Sequence, residues 1–452
     1  MNCITDERYT QIEKLSNYVN GISYKDLPDE VKNKLKLCII DALECCISPT
    51  IDGRGYAAFK SIHRNSASCA STLFCTGEKA DAADAAFYNT VKGAITSRND
   101  TCLSAGCHPG SILIPVTFAL AEERIVGGKE VLESLLAGYE TMIRIGKALN
   151  SRSSRSWRST ALSAPVGAAF AAAKMTKLSA EGIASAASFS CHSCGGINEW
   201  AVAGTGEDVF QNGWGARNGI FAMRLAEAGA IGCKTVLEGS NGLFNALEVS
   251  GDTEKIFSDL GKEYHILQVI HKPIDSCYMV QNPAQTASKL LQKYPEIRPE
   301  NINEVYIEVT RSAKNYPGCS NNQEINTLVQ GIMSIALGVA STLFLGSCES
   351  ITWAPPIEDN ILDLMRRCHI IENKEFTKAG TGSARVTVQT KDGNRYSEEQ
   401  KTLQPLTEGE IYQRFEKTSF LRLGKTQTDR LLQLINDLDK LENISEITAI
   451  LA

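Results

Sequence analysis

Residues 161–190, ALSAPVGAAFAAAKMTKLSAEGIASAASFS, are dominated by Ala, Gly and Ser. Such a stretch offers little side-chain bulk, so it can fill a core only if helix backbones approach closely. Ala is also the best helix former. A tight helical bundle is the packing this permits, and the rest of the first half agrees with it. Pro28 sits where a helix would begin, with Asp29 and Glu30 suited to its positive end. Val31, Leu35, Cys38, Ala42 and Cys46 then repeat at three- and four-residue spacing. An earlier helix is expected with Thr5 as its cap, Asp6 and Glu7 in its first turn, and Ile12, Leu15, Val19 and Ile22 as its stripe. Helical patterns continue over 79–95, 129–149, 161–175, 179–189 and 213–229.

The texture changes near residue 266. Val305, Ile307 and Val309 alternate in NEVYIEVT, and Val386 and Val388 alternate in SARVTVQT, as in half-buried strands. Asp392-Gly393 follows as a hairpin turn signal. Helical patterns at 278–293 and 325–345 lie between the strands. From about 402 the chain turns helical again, and Thr428 and Asp429 open a last helix with Leu431, Ile435 and Leu438. The expected fold is mainly α: a large all-helical domain over 1–266, a smaller inserted α+β domain over 267–401, and C-terminal helices over 402–452 that return to the helical domain.

Several function classes fall away. The net charge is −6 and no Lys/Arg stretch is dense enough for a nucleic-acid footprint. The apolar run Gly331–Gly346 is broken by Ser334, Gly338, Ser341 and Thr342, and reads as a buried helix rather than a membrane span. The acidic, polar start lacks the features of a signal or transit peptide. With that start, fifteen cysteines indicate reduced thiols and a cytoplasmic protein. Asn99-Asp100-Thr101 is then a chance glycosylation triplet. Cys191-His192-Ser193-Cys194 has CxxC spacing but no second pair for zinc, so buried thiols are the plainer reading. No GxGxxG follows a strand, and no Walker loop or GxSxG elbow occurs.

Four polar groups remain, each expected in a break between helices. They are Asp100, Thr101 and His108 in NDTCLSAGCHPG; Arg152, Arg155 and Arg158 in SRSSRSWRST; Glu207, Asp208 and Gln211 in AGTGEDVFQNG; and His271, Lys272 and Cys277 in VIHKPIDSCY. Each group alone reads more readily as a solvated loop or a helix cap. Together they matter if they converge on one cleft.

NDTCLSAGCHPGSILIPVTFALAE, AGYETMIRIGKAL, STALSAPVGAAFAAAK, NGWGARNGIFAMRLAEAG, LEGSNGLF and HKPIDSCY follow one another in that order. In these motifs the chain resembles the MmgE/PrpD family over nearly its whole length. That family contains 2-methylcitrate dehydratases, cis-aconitate decarboxylases and iminodisuccinate epimerases. The resemblance implies a helical domain holding both termini, a smaller α+β domain, a homodimer, and a site between the domains. It also implies chemistry next to a carboxylate without cofactor or metal, on a small carboxylate substrate. His108 matches the histidine of the family's HP motif and Lys272 its site lysine. Tyr139, in Gly-Tyr-Glu, fits either proton transfer or core packing. Asp100, Thr101, Arg158, Asp208, Gln211 and Cys277 are the expected substrate contacts.

Proton removal beside a carboxylate needs cations on the carboxylate, stabilisation of the enediolate and a positioned base. The chain departs from the family at several points. Ser97 stands where an Asp is usual, Arg158 and Gln211 where histidines are, and Asp208 where a lysine is. Another histidine falls near Cys277 in the decarboxylases. Arg158 cannot exchange protons near neutral pH, but it can grip a carboxylate. The retained His108 and Lys272 point to a lyase, first a dehydratase of a hydroxylated di- or tricarboxylate. The alternatives are an epimerase, a cis-aconitate-type decarboxylase, or a metabolite-binding homologue without catalysis.

Overall fold

The computed structural model describes residues 9–48, 69–154, 156–380 and 382–452. Thr5, Asp6, Glu7 and Arg155 lie outside these residues. The chain divides into two compact units, one of residues 1–197, 208–271 and 407–452, the other of 198–207 and 272–406. The sequence reading placed the corresponding changes at 266/267 and 401/402 and did not assign 198–207 to the second unit.

The first unit is a helical bundle. Helix α1 spans Gln11–Gly21, and its cap is Thr10, closed by Glu13 in a reciprocal capping box. Helix α2 covers Asp29–Ile47 with Pro28 at its cap position. A short antiparallel hairpin follows, β1 Ser71–Leu73 and β2 Glu78–Ala80. It corrects the all-helical expectation and the start of the 79–95 pattern: helix α3 is Ala82–Ala94, capped by Asp81. Helices α4 Gly110–Arg124, α5 Gly128–Leu149, α6 Ser159–Met175, α7 Ala180–Cys191 and α8 Glu207–Glu227 complete the series. A Cβ on Gly167 would lie 2.5 Å from Met142 Cβ of α5, and one on Gly219 would lie 2.3 Å from Ala168 Cβ. The small residues of α5, α6 and α8 are therefore what lets these helices touch backbone to backbone.

The C-terminal helix, Glu408–Asn436, returns to α2. It is kinked at Gly424, whose φ of 74° lies in the left-handed region. Thr428 donates to Gly424 O, so it sits inside the second half rather than opening it.

The second unit carries a four-stranded sheet in the order β4-β3-β5-β6. Its strands are β3 Ile302–Val309, β4 Cys368–Glu372, β5 Ala384–Thr390 and β6 Arg395–Gln400. β3 and β4 are parallel and the other pairs antiparallel, with β5 and β6 joined through the Asp392-Gly393 turn. Val305, Ile307, Val309, Val386 and Val388 form the buried face. Helix Tyr278–Lys293 packs on β5 and β6. The helical pattern at 325–345 is two helices, Leu328–Met333 and Ile335–Leu345. They are divided at Ser334, whose hydroxyl caps the second by accepting from Leu337 N. Among the described residues no helix is long and apolar enough to cross a membrane.

Candidate functional site

The chain breaks before His108 because Asp100 needs the break. Asp100 is buried; its Oδ1 accepts the Gly110 N–H at 2.8 Å and its Oδ2 the Tyr139 hydroxyl at 2.7 Å. Pro109 stands at the cap position of α4 without a side-chain cap, and the Asp100 carboxylate takes the first helical N–H instead. Ile112, Leu113 and Ile114 are buried directly behind it. Gly110 is the one residue that fits there, since a Cβ would lie 2.7 Å from Tyr139 Oη and 2.9 Å from Asp100 Oδ2. Gly110→Ala is expected to cost about 1–3 kcal/mol by overpacking. Chemical denaturation checks this, and a loss under about 0.5 kcal/mol would mean the contact relaxes freely.

Burial, then the nearby charge of Asp41, pushes Asp100 up to about 6, against the Tyr139, His271 and Gly110 contacts that favour its charged form. Burial and Asp100 push Tyr139 well above its ordinary value, so it remains a donor. Tyr139 is completely buried, and its hydroxyl donates to Asp100.

His108 is half-buried. Its Nδ1 lies 3.0 Å from the Asp100 carbonyl and 3.0 Å from Thr101 Oγ1. A carbonyl only accepts, so Nδ1 carries the ring proton. The lone pair of the neutral ring is then on Nε2, which becomes the proton-accepting atom. Thr101 spends its own hydroxyl proton on Asn99 O at 3.2 Å.

A second cluster gathers Arg158, Asp208 and Gln211. Arg158 occupies the cap position of α6, and its Nη1 donates to Asp208 O at 3.1 Å and Asn212 Oδ1 at 2.5 Å. Gln211 Nε2 donates to Ile197 O at 3.0 Å. Asp208 and Gln211 lie in the first turns of α8, not in a loop as the sequence suggested. The loop leading to His108 rests on the first turns of α6. A Cβ on Gly106 would be 3.3 Å from Ser159 Oγ, and Asn150 bridges Ser104 O and Ser159 Oγ. Two of the four polar groups are thereby held against each other through the turn that Arg158 caps.

Lys272 and Cys277 belong to the second unit and share one turn. Lys272 is buried, and its Nζ donates to Ser276 O at 3.2 Å. Cys277 stands at the cap of helix Tyr278–Lys293. Buried Gln281 braces this turn, accepting from Ile274 N and donating to Ile274 O and Ser276 O. The sequence reading missed Gln281; it is one polar residue among many in that helix.

The reading also missed the charged cluster beneath Asp100. Asp41 and Glu44 of α2 are both 1% exposed. Arg98 clamps Glu44 through Nε at 2.9 Å and Nη2 at 2.7 Å, and Arg414 of the C-terminal helix reaches Asp41. The signal was present in CIIDALECC, where two carboxylates interrupt an otherwise apolar run.

Among the described residues, Asp259, Glu263 and His265 offer ligand atoms within 4.8 Å of one another. Asp259 is already bound by Arg144, His265 Nε2 lies 3.0 Å from Asp259, and Lys147 Nζ faces His265 Nδ1 at 3.2 Å. Arg144 and Lys147 thus engage Asp259 and His265, so these two groups fit an ion-pair network better than a metal. Every cysteine described is a free thiol.

A family model for the MmgE/PrpD N-terminal domain matches residues 13–255. The chain belongs to the MmgE/PrpD family. It is similar to a cis-aconitate decarboxylase of Aspergillus terreus, 24% identical over 469 residues, covering 97% of this chain and 95% of that protein. It is equally similar to the cis-aconitate decarboxylase-like protein oryM of Aspergillus oryzae, at 24% identity over 97% and 96% of the two chains.

Proposed function

We propose that the protein is a cofactor-independent lyase acting at the carbon next to a carboxylate, first as a dehydratase of a hydroxylated di- or tricarboxylate. The observation that carries this is the fixed tautomer of His108. With the Nδ1 proton bound to the Asp100 carbonyl, the neutral ring presents its lone pair at Nε2, where it can accept a proton. Dehydration needs such a base for the C–H. Lys272 holds the substrate carboxylate and the negative charge that grows on it, and Arg158 grips a second carboxylate. The electron pair of the broken C–H bond forms the alkene as the C–O bond breaks, and the proton that His108 took from carbon balances the one with which the hydroxide leaves as water. Thr101, Asp208, Gln211 and Cys277 complete the substrate contacts.

The names of the relatives favour a second reading, decarboxylation of cis-aconitate. That reaction must protonate carbon after CO2 leaves, a step in which His108 would donate from Nε2 in its charged form. Homodimeric assembly belongs to the same proposal. Trp214 and Phe221 stand 53% and 61% exposed on α8, an apolar surface suited to a second copy. Cytoplasmic location accords with the free thiols.

Proton NMR of the protein incubated with citrate, 2-methylcitrate, malate, cis-aconitate and amino-dicarboxylates tests the reaction. A new alkene signal from a hydroxy acid is expected. Itaconate from cis-aconitate, with no alkene from any hydroxy acid, would replace dehydration by decarboxylation. Arg158→Leu is expected to raise KM about tenfold or more, the loss of one charge-assisted pair, with a smaller change in kcat. A fall in kcat at unchanged KM would contradict its gripping role.

A further inference from the structure

We propose that Asp41 is a positioning residue for this site: its buried carboxylate fixes both the segment that orients His108 and the residue that leads into Lys272. This rests on the reading of His108 and Lys272 as the reacting groups.

A carboxylate inside an apolar helix face is costly unless each oxygen is satisfied. Asp41 Oδ2 accepts the backbone N–H of Asp100 at 3.1 Å. Its Oδ1 accepts from Arg414 and lies 3.4 Å from His271 Nδ1. Both contacts lead on to the site. The residue whose N–H Asp41 holds is the one whose carbonyl takes the His108 Nδ1 proton. On the other side, Lys34 Nζ lies 3.0 Å from His271 Nε2. An ammonium only donates, so Nε2 accepts and the His271 ring proton sits on Nδ1, the nitrogen that lies 3.4 Å from Asp41 Oδ1 without a well-aligned hydrogen bond. Thr101 and Ile270 pair in both directions, N–H to O at 2.8 and 2.9 Å, which ties the two segments together. His271 is then followed directly by Lys272.

The electrostatics agree with that placement. Burial alone would raise Asp41, but its neighbours His271, Arg414 and Arg98 outweigh it and hold the group down at about 2. Asp41 is thus a permanent anion that touches no reacting atom, one peptide away from His108's acceptor on one side and one residue from Lys272 on the other.

The test uses Asp41→Asn, His271→Gln and the double variant, with ¹⁵N-histidine NMR and steady-state kinetics on the full chain. Asp41→Asn keeps an acceptor for Asp100 N–H but loses the charge that holds His271. The His271 Nδ1 resonance is expected to shift, and kcat to fall about 10²-fold with KM within about twofold, as for a small misplacement of reacting groups. The double variant is expected to be no slower than His271→Gln alone, because the two act as one unit. A merely structural Asp41 would instead add its loss in full. An unmoved His271 resonance, or wild-type kcat in Asp41→Asn, overturns the proposal. Should Asp41→Asn not fold, His271→Gln decides it: wild-type kcat there overturns it equally. If the wild-type protein turns over none of the acids, the reaction assignment fails, while the His271 resonance still judges Asp41.

Discussion

Lys272→Met is expected to lower turnover by about 10²–10³-fold or more while leaving the protein folded. Lys272 is buried in a turn braced by Gln281, and its Nζ donates to Ser276 O. Its ammonium is the cation assigned to the substrate carboxylate and the enediolate. Methionine fills a similar volume without charge, and exchanging a buried ion for an apolar group of like size is often neutral or stabilising. Activity and stability should therefore separate: little turnover, unchanged or higher melting temperature. Near-normal kcat in a folded variant would remove Lys272 from the site. A large drop in melting temperature would mean that its charge serves the fold.

Arg144→Met is expected to show the opposite pattern, a loss of about 3–5 kcal/mol of stability. Arg144 is fully buried on α5. It donates to Glu140 at 3.2 Å, to Ile256 O at 2.7 Å, to Glu263 O at 3.1 Å and to Asp259. These bonds pin the segment 256–266, which leads on to Ile270 and its pairing with Thr101. Removing the arginine strands Glu140 as a buried carboxylate. Burial already pushes Glu140 up to about 7, with Arg144 opposing. Its folded value therefore lies above its unfolded one, and stability falls as pH rises from about 4.5 to about 7. Without Arg144 that window extends upward. The penalty of the substitution should be larger at pH 8 than at pH 6, by at most about 1.4 kcal/mol per pH unit for one proton. Denaturant titrations at the two pH values check this. A penalty equal at both would mean that Glu140 does not ionise in the folded wild type.

The helices of the first unit were legible because apolar spacing and caps act locally. Val31 to Cys46 announced α2, and the small residues of α6 announced its close neighbours. The hairpin at Ser71–Ala80 was not legible, since three-residue strands carry too little alternation. The kink at Gly424 was read as a helix start because Thr428-Asp429 looks like a cap, and only the left-handed glycine reveals the kink. At the site, His108 and Lys272 stood out through neighbouring prolines and the family resemblance. The partners that fix them did not. Asp41, His271 and Arg414 lie far apart in sequence, and hydrogen bonds between distant segments leave no spacing to read.

The central claim is that His108 removes a proton from the carbon beside a carboxylate with Lys272 holding the charge. Solvent isotope exchange tests it most directly. The wild-type protein and Lys272→Met would each be incubated in D2O with the hydroxy acid that yields an alkene, and the remaining substrate examined by mass spectrometry and proton NMR. The account predicts deuterium at that carbon, or alkene formation with loss of its proton, in the wild type and neither in the variant. Conversion without any proton lost or exchanged at that carbon, or equal exchange by both proteins, would contradict it.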